Sequence, residues 1–176
     1  MQRLGYALIT LATVACAPES DASQTGRTGT HIGLSGSFPV HTRIGGTVTE
    51  LTGINSSQAS AAGAVTTADA QEFCARDPGG VTIEYGGRLT IEQCVASTLR
   101  EYSRVYRISA DCNQMRINST EGVFELYFPD NMDLPPRWMD SSGDTLDWSS
   151  ASGAFTISAQ FRLLCPQQAA DAGLED

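Results

Sequence analysis

Four cysteines, Cys74, Cys94, Cys112 and Cys165, constrain this chain more than any other feature of its sequence. They are metal ligands, reactive thiols or crosslinks, and their spacing separates these uses. Zinc sites draw ligands in close pairs such as C-x-x-C, whereas 19, 17 and 52 residues lie between neighbours here. An even set without close pairs reads as two disulfides, and disulfides persist in oxidising compartments. Four cysteines allow three pairings. The preferred one joins Cys74 to Cys94 and Cys112 to Cys165, with loop-entropy contributions of about 3 and about 4 kcal/mol.

The residues around these sulfurs carry the clearest periodicities. "ADAQEFCARDPGG" reads as a short helix, with Asp69 as N-cap, Ala70, Phe73 and Cys74 inward, and a stop at Asp77-Pro78-Gly79-Gly80. "LTIEQCVASTLREY" reads as a second helix. Thr90 and Gln93 form a capping box, and Ile91, Cys94, Val95, Thr98, Leu99 and Tyr102 form an apolar stripe. From residue 104 the period drops to two. Tyr106, Ile108, Ala110 and Cys112 share one face, Met115 and Ile117 follow, and Phe124, Leu126 and Phe128 share another. Trp138 and Trp148 flank a turn built from Ser141, Ser142, Gly143 and Asp144. "VTIEYGG" reads as a short strand or extended arm, and "GAFTISAQFRLLCP" as a last strand, although Ile157, Phe161 and Leu164 also fit a helix. The expected fold is α+β: a small antiparallel sheet with two short helices packed on it, stapled by two disulfides, over residues 67–166.

The fifth cysteine, Cys16, ends an opening of a different kind. "MQRLGYALITLATVAC" has one basic residue, Arg3, and then a run without charge from Leu4 to Ala15. That run is shorter than the roughly 20 residues needed to cross a bilayer as a helix, and it fits the centre of a secretory signal. "TVAC" resembles the lipobox of the bacterial lipoprotein signal family over the first sixteen residues, with Thr13 where leucine is usual. The resemblance implies cleavage after residue 15 and lipidation of Cys16. The alternative is plain secretion, with Ala15-Cys16-Ala17 as an ordinary small-x-small site. Either reading leaves the four remaining cysteines to pair. The implied location is the outer membrane or periplasmic face, lipid-anchored, or else secreted or soluble in the periplasm. Runs such as "EFCARDPGG" and "QFRLLCP" are also similar to exported bacterial proteins without an assigned activity.

Residues 16–66 are rich in Gly, Ser, Thr and Ala and read as a flexible tether, too poor in apolar surface to offset the ordering entropy. Within it, Ile32, Leu34, Val40, Ile44 and Val48 also allow a weak hairpin docking on the domain. Residues 167–176 read as a disordered acidic tail.

Chemistry is sparse. The net charge is −9 and all eleven basic residues are arginine. This speaks against nucleic acid as a partner and removes every lysine-based mechanism. His31 and His41 lie in the tether, away from a packed triad pocket, and no motif calls for a cofactor. Asp130, Asp133, Asp140, Asp144 and Asp147 crowd one segment, but "DSSGDTLD" puts glycine fourth rather than sixth, unlike an EF-hand loop. Trp138, Trp148 and Tyr127, with Asp140, Asp144 and Asp147, are the candidate ligand-binding set. The expected role is non-catalytic, with the membrane as one partner and an envelope glycan or protein as another. The alternatives are a cell-wall glycan-binding module or an inhibitor of a secreted hydrolase, and a small hydrolase using the acidic loop.

Overall fold

The computed structural model describes residues 34–174 except 42, 78, 131–133 and 149–152. Seven strands form one antiparallel sheet in chain order: β1 (Leu34–His41), β2 (Ile44–Thr52), β3 (Ala59–Ala64), β4 (Tyr106–Asp111), β5 (Arg116–Asn118), β6 (Val123–Tyr127) and β7 (Arg137–Asp140). Between β3 and β4 the chain inserts α1 (Thr67–Arg76), a 3-10 turn (Ile83–Tyr85) and α2 (Ile91–Glu101). After β7 come α3 (Ala154–Leu164) and α4 (Pro166–Asp171). Helix α3 packs on β1, β3, β4 and β7, so first and last strands both reach it and the sheet curls around the helix.

Alternation decides the strands. Tyr106, Ile108 and Ala110 of β4, Ile117 of β5, Phe124 and Leu126 of β6 and Trp138 of β7 are buried against α3. The opposite face carries Arg107 with Glu50 and Arg116 with Glu125 in ion pairs at 3.3 and 3.4 Å. One face is apolar and one is solvated, as antiparallel sheets allow.

Three expectations are overturned. Residues 34–64 are not tether but three strands, contributing Phe38, Val40, Ile44 and Val48 to the core. The hairpin alternative was the better reading, yet it too omitted β3. "ASAAGA" carries almost no strand propensity; its small residues suit a place where large neighbours come close. A Cβ on Gly63 would lie 2.3 Å from Cγ of Phe38, so that ring occupies the space a side chain would need. The final element is a helix rather than a strand, because α3 is enclosed by the sheet and buries Ala154, Thr156, Ile157, Ser158, Gln160, Phe161 and Leu164. A helix buried on most sides loses the one-sided stripe that identifies it. Residues 167–174 are likewise not a disordered tail: α4 buries Ala169, and Leu174 is buried behind it, its carbonyl accepting from Nη1 of Arg162 at 3.1 Å.

Smaller corrections concern ends and turns. Thr66, not Asp69, caps α1; the two form a capping box, and Oδ2 of Asp69 also accepts from Thr47 on β2 at 3.1 Å. Ile83–Tyr85 is a 3-10 turn rather than a strand. Phe128 lies past the end of β6 and is exposed. The Thr90–Gln93 capping box of α2 forms as expected, as do both preferred disulfides, with Cα–Cα distances of 5.9 Å for Cys74–Cys94 and 5.5 Å for Cys112–Cys165. The first joins α1 to α2. The second sits where the β2–β3 turn meets the end of α3: Asn55 N–H donates to Leu164 O at 2.9 Å and Cys112 N–H to Ser56 O at 3.1 Å.

The β7 edge is covered, and one carbonyl of the β1 edge is taken up by a side chain. Beyond β7, residues 144–146 fold back, with Leu146 N–H donating to Trp138 O at 2.7 Å and Asp140 N–H to Asp144 O at 2.9 Å. On β1, the Pro39 carbonyl accepts from Nε2 of Gln160 at 2.7 Å. Gln160 is fully buried and also bonds the N–H and hydroxyl of Thr120, at 3.2 and 2.7 Å. It ties the β5–β6 turn to β1 through α3, with all of its bonding groups engaged.

Candidate functional site

The structure scatters the predicted ligand-binding set. Trp138 is wholly buried; its Nε1–H donates to Ser158 Oγ at 2.8 Å and its ring meets Phe161 edge-on at 5.3 Å. It is core and offers no ring face to a ligand, which corrects the expectation. Tyr127 is exposed at the end of β6. Asp140 is consumed by its own turn, accepting from the N–H and hydroxyl of Ser142 at 2.9 and 2.6 Å and from Asp144 N–H at 3.0 Å. The Ser142 hydroxyl and the Asp144 N–H hold its carboxyl below the ordinary aspartate value. Asp144 adds a contact from Ser142 Oγ at 3.3 Å, and Asp147 is exposed on the return of the hairpin. Residues 140–144 are therefore a hairpin turn held by the carboxylates of Asp140 and Asp144. Among the described residues no three His, Cys, Asp or Glu side chains converge as metal ligands. Cys16, the lipidation candidate, lies outside the described residues, as does His31.

Trp148 is the member that finds a site. It is half-buried, its Nε1–H donates to Pro136 O at 3.1 Å, and its ring lies 5.8 Å from Phe155, inclined at 59°. Phe155 is 48% exposed on a helix whose other residues are buried or half-buried. These two rings wall a groove of about 830 Å³ between the β1–β2 turn, the Pro135-Pro136 segment and the outer side of α3. Arg43 contributes from the turn, Arg162 from α3 and Arg76 from the end of α1. The described lining contains no Asp or Glu. Arg76 also pairs with Glu72 one helical turn away, at 2.9 Å and largely in solvent, a pair worth little at a surface. The size and mixed lining are those of a small-ligand site, apolar walls with a few placed polar groups.

A second groove of about 530 Å³ adjoins the first across His41 and Arg43, which line both. Phe73, Val81, Leu89 and Tyr102 form its apolar wall, with Glu101 and Glu121 in its lining. Burial, followed by the neighbouring Glu101 charge, pushes the Tyr102 hydroxyl above its ordinary value.

Sequence reasoning missed Phe155, Arg43 and Arg162 because the first and last were placed on a strand and Arg43 in the tether. The signal available was period two on either side of His41-Thr42-Arg43, with Phe38 and Val40 before it and Ile44 and Val48 after. That pattern marks a hairpin whose turn carries Arg43 into the groove lining.

Comparison of the chain with protein-family models, with curated proteins and with solved structures found no match. Among the described residues no helix is long and apolar enough to cross a membrane.

Proposed function

We propose that this protein is an exported, lipid-anchored domain of the bacterial cell envelope that acts by binding rather than by catalysis, and that its ligand occupies the groove beside Trp148 and Phe155. The observation that carries the reading is that groove: two aromatic rings, one fixed through Pro136 and the other half in solvent, lining one concavity together with arginines. The two disulfides support export, since such bonds endure where thiols are not kept reduced. Binding is favoured over hydrolysis because the Asp140 carboxylate of the acidic loop is engaged in holding its own turn. The lipidation of Cys16 follows from the sequence resemblance alone.

Two measurements test the reading. Intact mass of the protein from its native membrane is expected to give an N-terminus at Cys16 carrying acyl groups; an unacylated start further along removes the anchor. Co-sedimentation with purified cell-wall sacculi is expected for the wild type and lost on Phe155→Ala combined with Trp148→Ala. Buried Trp138 reports that the variant remains folded. Equal sedimentation of the folded variant removes the groove from the function.

A further inference from the structure

Resting on the groove as the binding site, we infer that its ligand is an acidic sugar, a glycan ring carrying a carboxylate. The first argument is electrostatic. The chain has 20 Asp and Glu against 11 Arg, a net charge of −9, yet among the described residues Arg43, Arg76 and Arg162 line this one concavity without a carboxylate beside them in the lining, Arg76 sharing its charge with Glu72 at 2.9 Å. Like charges gathered around a cleft repel one another and raise its positive field, which draws anions in. Arg43 and Arg162 line the groove from different elements, the β1–β2 turn and α3. Arg162 is held in place by its bond to Leu174 O at 3.1 Å. Guanidinium is also the cation whose planar donors match a carboxylate.

The second argument concerns shape and water. The Trp148 ring is fixed by its bond to Pro136 O, and the Phe155 ring stands beside it at 48% exposure. Leaving a large aromatic ring half in water is unfavourable, and a flat ligand with an apolar face relieves that. A sugar ring carries such a face, and a carboxylate on its edge reaches the arginines. An extended peptide would add to a strand edge; residues 144–146 cover β7, and on β1 the Pro39 carbonyl beside the groove is already taken by Gln160. An acyl chain would meet guanidinium groups along its length.

The experiment titrates the full chain, both disulfides formed, with two matched disaccharides by tryptophan fluorescence and calorimetry. One is N-acetylglucosaminyl-N-acetylmuramic acid and the other is diacetylchitobiose, which lacks the lactyl carboxylate. The acidic disaccharide is expected to bind at least about tenfold tighter, the scale of one charge-assisted hydrogen bond. Arg43→Gln is expected to remove most of that preference, and raised salt is expected to narrow it. Equal binding of the two sugars, or an unchanged preference in Arg43→Gln, overturns the acidic-sugar inference and leaves the groove standing. Binding of neither sugar overturns the inference, and with sacculus sedimentation also absent it overturns the groove reading. Binding to phosphatidylglycerol vesicles but to neither disaccharide overturns the inference in favour of a lipid surface.

Discussion

Asp77 shows how much one side chain holds at the end of α1. Its backbone takes the left-handed conformation, φ 37°, that closes the helix. Its buried carboxylate accepts from Val81 N–H at 2.9 Å and from the N–H and hydroxyl of Thr82, both at 2.7 Å. Burial alone would push that carboxyl up; the Thr82 hydroxyl and the Thr82, Val81 and Gly80 amides outweigh it, and the net shift is downward from 3.8. A carboxylate lowered by folding contributes stability that is fully present above its unfolded value and is lost as pH falls through the folded value. Stability is thus expected to drop on acidification below about pH 4 in the wild type, and to drop less in Asp77→Asn, which starts lower at neutral pH. Denaturant melts of both proteins at pH 7 and pH 3 check this; parallel losses would show that the Asp77 charge does not couple to folding. The turn at Asp77-Pro78-Gly79-Gly80 was legible in sequence, because proline and glycine act locally. The partners of its carboxylate were less so, since two of the three bonds go to Thr82, five residues on.

At the scale of elements, the disulfides link what the backbone keeps apart. Cys74–Cys94 closes a separation of 20 residues and holds α1 on α2; Cys112–Cys165 closes 53 and fixes the end of α3 to the β4–β5 turn. Loop entropy makes the shorter crosslink worth about 3 kcal/mol and the longer about 4 kcal/mol. Replacing each pair by alanine is expected to lower the unfolding free energy in that order, as guanidinium denaturation will measure. A larger loss from the 74–94 pair would show that native packing of α1 on α2, rather than chain closure, dominates. Helix α2 was readable because its capping box and stripe are properties of its own sequence, and Thr98 indeed lies buried with its hydroxyl 3.7 Å from Cys74 Sγ. Helix α3 was not. Alternating Phe155, Ile157, Ala159, Phe161 and Leu163 mimic a strand, and only enclosure by the curled sheet gives polar Gln160 its bonds to Pro39 and Thr120.

For the whole molecule, the decisive fact is that the sheet needs its first three strands. Phe38, Val40, Ile44 and Val48 are each at most 3% exposed. Burying four such side chains contributes about 6–12 kcal/mol, against a typical domain stability of about 5–15 kcal/mol. A chain beginning at residue 67 is therefore expected to lose cooperative unfolding and the near-ultraviolet signal of Trp138. If it melts cooperatively with that signal intact, residues 34–64 are an accessory layer after all. The same strands bring Arg43 to the groove that Phe155 also lines, so the candidate site does not exist without them.

The sequence by itself determined what depends on near neighbours along the chain: the crosslinking cysteines, the α2 cap, the alternation of β4 to β6 and the turn at Asp140. Tertiary structure decided the rest. Strand β3 is a strand because small residues let Phe38 close over Gly63, α3 is a helix because the sheet surrounds it, and Trp138 and Trp148 part ways into core and groove. Each of these outcomes turns on which distant surface a segment meets, and burial is a property of that meeting, not of the segment alone.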